Sequence, residues 1–267
     1  MKMNMFMHEL KQNRKSAIIW IVVLVAVAAF YMALYQSFAS DTVILKKLLE
    51  GFPPAFRKVF GLTLETFATV NGFYSMILMY IMLAASIQAM ILGTSIVSKE
   101  ERGKTAEFLL SKPVSRSQIL NAKLMAALTI ILITNVAYLV LVPLLTRAIT
   151  NTHISLDTFL LLSFTIFFVQ LFFLGFGFLI SVSAPKIRSV LGVSLTTAFG
   201  FYIVSALDSV INSTAIRYLT PFKYFDFAYI VKNGTYEFQF LVFEAVLIAA
   251  AIAGSYYIYL KRDIRTV

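Results

Sequence analysis

Six runs of this chain carry almost no charge, and each is long enough to cross a bilayer as a helix. Residues 16–40, 66–98, 124–146, 158–185 and 189–207 contain no Asp, Glu, Lys or Arg, and residues 238–260 contain only Glu244. A helix needs about 20 apolar residues to span the hydrocarbon core, and it satisfies its own backbone hydrogen bonds there without water. The runs therefore predict an all-α integral membrane protein, a single domain over residues 1–267 with spans near 16–38, 72–97, 122–146, 158–183, 189–208 and 238–260. Composition agrees. The chain is 60% hydrophobic and 13% charged, about half the roughly 25% charge usual for soluble domains, and its mean hydropathy is +0.83.

The first fifteen residues put Met3, Phe6, Met7 and Leu10 at helical spacing, with Lys2, Glu9, Lys11 and Arg14 largely elsewhere on the wheel. That pattern predicts a short amphipathic helix lying along the headgroups, against the alternative of a disordered basic start. Lys11 to Lys15 with Ala26-Val27-Ala28 also resemble a signal peptide. The apolar run that follows exceeds the usual h-region of about 7 to 15 residues, which favours an uncleaved span.

Within the spans, small residues recur every fourth position at Ala85, Ala89 and Gly93, at Gly177 and Ser181, and at Gly192, Thr196 and Gly200. Each set predicts a face for close helix packing. Gln88, Asn135, Gln170 and Glu244 are the polar candidates inside the membrane; Gln88 is expected to face protein. Glu244 reads either as functional, since intramembrane charge is costly, or as a side chain snorkelling to the outer interface, two turns from its span's end. Asp208 is expected to mark the boundary of the fifth span. Between the spans, a segment with Pro53-Pro54 is expected to fold on the membrane surface. Another, with Pro221, Phe222, Tyr224, Phe225, Phe227 and Tyr229, is expected to sit at the interface.

The formal charge of +10 raises the question of nucleic acid, and topology answers it. With the amino terminus inside, 15 of the 23 basic residues and 5 of the 13 acidic ones fall on the inner side. The whole excess lies there, and the outer side is neutral. The positive-inside rule places both termini in the cytoplasm of a multi-pass protein of the cell membrane, with lipid and not nucleic acid as its surroundings.

Enzyme chemistry finds little support in the residues. There is no cysteine, and His8 and His153 fall on opposite sides, so neither an HExxH metal site nor a Ser-His-Asp triad is assembled. Gly103-Lys104-Thr105 resembles the end of a phosphate-binding loop, but the glycine that loop needs five residues earlier is replaced by Ser98. No cofactor is expected on this chain.

Charge is concentrated in residues 98–123, SKEERGKTAEFLLSKPVSRSQILNAK. Ser98 with Glu101 and Ser115 with Gln118 are spaced as capping boxes, and Pro113 ends any helix between them. Ala106, Leu109 and Leu110 share one face of that helix; Lys104, Glu107 and Ser111 share another. A short amphipathic helix of this kind suits docking into a partner's groove, and a solvated loop with ordinary caps remains the alternative.

The order Glu100-Glu101-x-Gly103-x-Thr105-x-Glu107-x-Leu109-Leu110-x-x-Pro113-Val114-Ser115-Arg116, with Ile119 and Lys123 beyond it, resembles the cytoplasmic segment between spans 2 and 3 of ATP-binding-cassette exporter permeases of the second type, the ABC-2 family. Tyr218-Leu219-Thr220-Pro221-Phe222-x-Tyr224-Phe225 is similar to that family's outer loop. The resemblance implies that residues 104–112 form a coupling helix docking on a separate cytoplasmic ATPase, which would bind the ATP and magnesium. It implies further that two permease chains, identical or homologous, pair around a path. Gly103 would then turn the chain after the second span, and Glu100, Glu101 and Glu107 would supply polar contacts. On the residues alone, an intramembrane enzyme or a non-transporting sensor or immunity protein remain the other readings.

Overall fold

The computed structural model describes residues 2–39, 42–60, 62–64, 67, 69–102, 114–150, 155–184 and 187–261. Among these there is no strand, and six helices are long and apolar enough to cross a membrane. They are α1 (Lys2–Ala39), α4 (Val70–Arg102), α5 (Arg116–Thr150), α6 (Leu156–Ser183), α7 (Val190–Ile211) and α10 (Phe238–Lys261). Shorter helices lie between them at the opposite end of the bundle from the N-terminus: α2 (Thr42–Glu50), α3 (Pro54–Phe60), α8 (Thr214–Arg217), a 3-10 turn (Pro221–Lys223) and α9 (Phe227–Asn233).

The leading segment is helical but is not a separate helix. With no glycine or proline to break it, α1 runs unbroken for 38 residues, about 57 Å at 1.5 Å per residue, against a hydrocarbon core of about 30 Å. At 33 and 35 residues, α4 and α5 are also longer than a span requires. The N-terminal part of α1, the C-terminal part of α4 and the N-terminal part of α5 therefore extend beyond the core at one end of the bundle. Pro143 lies inside α5, which continues past it to Thr150.

The centre of the bundle is the parallel pair α4 and α6, with α1 on α5 and α10 on α6. Lipid tails are as apolar as leucine, so helices in a membrane associate through close packing and polar contacts rather than through hydrophobic burial. The seam between α4 and α6 uses both. A Cβ on Gly93 would meet Leu174 O at 2.5 Å and Gly177 Cα at 3.0 Å, so backbone rests on backbone. One turn further along, the Ser98 amide donates to Ser181 Oγ at 3.0 Å. Towards the other end, Tyr74 Oη lies 2.7 Å from Ser163 Oγ and 3.0 Å from Tyr138 Oη. The small residues of these two helices thus mark a packed face.

Those of α7 do not. Gly192, Thr196 and Gly200 are exposed, and a Cβ on Gly200 would meet nothing within 4 Å. The packed face of α7 carries Ser194, Ala198, Ser205 and Asp208, half a wheel turn away. Small size permits close approach but does not name the partner, and this stripe has none among the described residues.

Two further expectations are corrected. Ser98 is no helix cap: α4 runs through it to Arg102, and its hydroxyl donates back to Thr94 O. Ser115 does cap α5, accepting from the Gln118 amide at 3.3 Å. The aromatic cluster of the outer segment is not exposed as one group. Phe222, Tyr224 and Phe225 are buried, with Phe225 stacked on Phe168 at 5.5 Å, Phe222 against Phe173 at 5.5 Å and Tyr224 stacked on Phe240 at 6.0 Å. Only Tyr229 of the six predicted residues is strongly exposed. The outer segment is packed back into the bundle and pinned there by Arg217, which pairs with Glu237, donates to Lys223 O at 2.9 Å and lies 3.9 Å over the Phe240 ring.

Candidate functional site

The charged segment of the sequence is rooted in α4 on one side and α5 on the other. Residues 103–113, and with them Gly103, Lys104, Thr105, Ala106, Glu107, Leu109, Leu110 and Pro113, lie outside the described residues. Glu100 and Glu101 lie on the last turn of α4, and Arg116 opens α5. What is described are the two roots, and both are tied to α1 through one carboxylate.

Glu9 of α1 is 5% exposed. Its Oε2 accepts from Lys99 Nζ of α4 at 2.6 Å, and its Oε1 accepts from Lys123 Nζ of α5 at 3.2 Å. Lys99 Nζ also donates to Gln12 Oε1 at 2.6 Å, one helical turn beyond Glu9. Lys123 is 1% exposed. The two lysines flank the undescribed segment, and three overlong helices bring them to one acid. Further ties hold the same end together: Arg116 donates to Leu260 O at 3.3 Å, and Tyr256 donates to Asn121 Oδ1, so the start of α5 is bound to the end of α10. Both roots of the segment are therefore tied directly to α1, and the start of α5 to α10 as well.

Three of the four intramembrane polar candidates form one network. Gln170 of α6 donates to Gln88 Oε1 at 3.0 Å and to Ala85 O at 3.3 Å, and accepts from Asn135 Nδ2 of α5 at 2.5 Å; Gln88 of α4 donates to Thr134 Oγ1 of α5 at 3.0 Å. All are buried inside the single chain. This arrangement fixes three helices at mid-depth and presents nothing to a passing solute. Buried networks stabilise when every member is satisfied, and these amides serve one another.

Glu244 stands apart. It lies two turns into α10 but does not snorkel: it is 2% exposed, and its Oε1 has no hydrogen-bond partner among the described residues. Asp208 stands in the last turn of α7, at the end of the fifth span as expected, and is buried there to 7% exposure.

Residues 3–264 match the family described as ABC-2 family transporter protein, so the match spans nearly the whole chain. The chain belongs to the ABC-2 transporter family. No curated protein matches it. Membership makes this six-helix bundle a transporter's membrane protein, and the ATP-binding-cassette permeases of this family work in general with an ATPase subunit. The buried lysine of this ABC-2 protein, the acid it shares with Lys99 and the isolated Glu244 carry no local sequence motif. Only the depth of Glu244 in an apolar run signals it.

A carboxylate buried without a donor costs free energy. In this ABC-2 protein Glu244→Met, of similar volume, is expected to leave the thermal midpoint in detergent unchanged or raised. A fall of several degrees would show that Glu244 is held by a stabilising partner.

Proposed function

We propose that this chain is the membrane permease of an ATP-driven exporter in the cell membrane, with both termini in the cytoplasm. Residues 104–112 act as the coupling helix, docking on a separate ATPase that holds ATP and magnesium. Ala106, Leu109 and Leu110 form the docking face, Gly103 turns the chain into it, Pro113 ends it, and Ser115 and Arg116 start the return. Lys104, Glu107 and Ser111 occupy its polar side, Thr105 lies within the helix, and Glu100, Glu101 and Glu107 supply polar contacts to the ATPase or to neighbouring helices. A second permease chain completes the path, and the exposed Gly192, Thr196 and Gly200 stripe of α7 offers it a face without bulky side chains.

The observation that carries this reading is the tie through Glu9. A segment that receives a push is useful only if its two roots move with the bundle, and Lys99 and Lys123 bind both roots to α1. Closure of the ATPase pair would then rock the spans as bodies rather than bend one loop.

Co-purification tests it. The tagged chain is expected to retain a nucleotide-binding subunit, and Glu101→Lys is expected to weaken that retention while leaving the chain folded. If the subunit never binds, or stays bound equally well to the variant and to a chain whose Leu109 and Leu110 are both changed to Asp, the docking assignment is wrong.

A further inference from the structure

At the end of the bundle where α1 begins, that helix presents two opposite faces. Glu9, the only acid in α1, turns inward, and Lys99 and Lys123 engage both its oxygens. Lys11, Arg14 and Lys15 turn outward. All three are exposed, and none pairs with an acid among the described residues. At 3.6 residues per turn they fall within an arc of about 100°, with Glu9 on the opposite side. The acid that would offset such a patch is held in the interior, so the outward face carries three positive charges and no negative one.

Position along the axis decides what meets them. From Lys11 to Lys15 the helix rises about 6 Å at 1.5 Å per residue, close to the thickness of one head-group layer, about 5–7 Å. The same side of the helix continues with Ile18, Ile19 and Val22, which are 58%, 61% and 60% exposed and stand at the level of the acyl chains. Basic side chains at such a boundary lay their stems along apolar surface and keep their charge among the head groups. A phospholipid meets both features at once, with its phosphate at the cations and its chains on Ile18, Ile19 and Val22. A soluble acidic partner would meet only the first. A zwitterionic head group would bring a cation for which this face has no acceptor carboxylate, whereas a net negative one matches it. We propose that this face of α1 binds anionic phospholipid of the leaflet at that end, with Lys11, Arg14 and Lys15 holding the head group. The binding needs neither an ATPase nor residues 104–112.

Native mass spectrometry of the full-length chain, released from nanodiscs of mixed phosphatidylglycerol and phosphatidylcholine, tests the proposal. Phosphatidylglycerol is expected to be retained about tenfold or more over phosphatidylcholine, since each cation near an anionic surface contributes about fivefold. Added salt is expected to reduce the preference, because exposed charges are screened. Lys11→Gln, Arg14→Gln and Lys15→Gln together are expected to remove most of it while leaving the thermal midpoint in place, since all three side chains are exposed. Arg188→Gln with Lys261→Gln, at two exposed cations of the same end outside α1, is expected to leave the preference nearly unchanged. No preference for phosphatidylglycerol, a preference that survives in the folded triple variant, or an equal loss in the Arg188 and Lys261 variant would overturn it.

Discussion

Glu9→Ala is expected to destabilise the protein by roughly 3–5 kcal/mol, because it removes the carboxylate shared by two lysines while one of them stays buried. Lys123 is 1% exposed and cannot swing into water as a surface lysine would. The signature that separates lost charge pairing from lost packing is a double change. Glu9→Gln with Lys123→Met replaces the buried pair by uncharged groups of similar size, and such replacements are often neutral. Thermal unfolding in detergent should therefore show a large drop for the single alanine variant and recovery of most of it in the double variant. A single variant as stable as the parent would mean that the tie contributes nothing to the fold. The recovered double variant also isolates transmission, for it holds the helices together without binding both roots to one acid.

The second large effect is expected at the α4–α6 seam. Gly93→Val places a Cβ 2.5 Å from Leu174 O and 3.0 Å from Gly177 Cα, and both obstacles are backbone that cannot rotate away. The two helices must separate, which lengthens the Ser98–Ser181 bond one turn away and strains the Gln88–Gln170 pair on the other side. Overpacking of this kind costs roughly 3 kcal/mol or more, and loss of folded protein by size exclusion is the expected reading. Gly200→Ala is the control. A Cβ there meets nothing within 4 Å, so its effect on the single chain's stability should stay within about 0.5 kcal/mol.

How much of this was legible in the sequence depends on the range of the signal. Six spans follow from six charge-free runs, because the cost of burying charge in lipid acts on every residue of a run at once. The charged segment and its resemblance are local patterns, and so is the capping of α5 by Ser115. The tie at Glu9 is not local: its partners stand 90 and 114 positions away, and nothing near Glu9 or Lys123 distinguishes them from other charges beside a span. The same holds for the amide network, where Gln88, Asn135 and Gln170 each read as a polar residue at depth, but only the packing of α4, α5 and α6 makes them one feature. The errors share a cause as well. Spacing showed that α7 has a small-residue stripe but not which way it points. The aromatic outer segment was expected at the interface because its rings suit that depth, yet the bundle offers them Phe168, Phe173 and Phe240 to pack against. Glu244 was placed by its distance from a helix end, whereas burial is decided by the face it occupies.

In the proposed function this chain receives work from an ATPase through residues 104–112. ATP hydrolysis by the purified ATPase subunit, measured in proteoliposomes with and without this chain, tests it most directly. The parent chain alone is expected to hydrolyse nothing and to change the ATPase subunit's rate when both are present, and a chain with Leu109→Asp and Leu110→Asp, although folded, is expected to restore the rate of the ATPase alone. Hydrolysis by the isolated chain, or a folded double variant that changes the ATPase rate as the parent does, would contradict it.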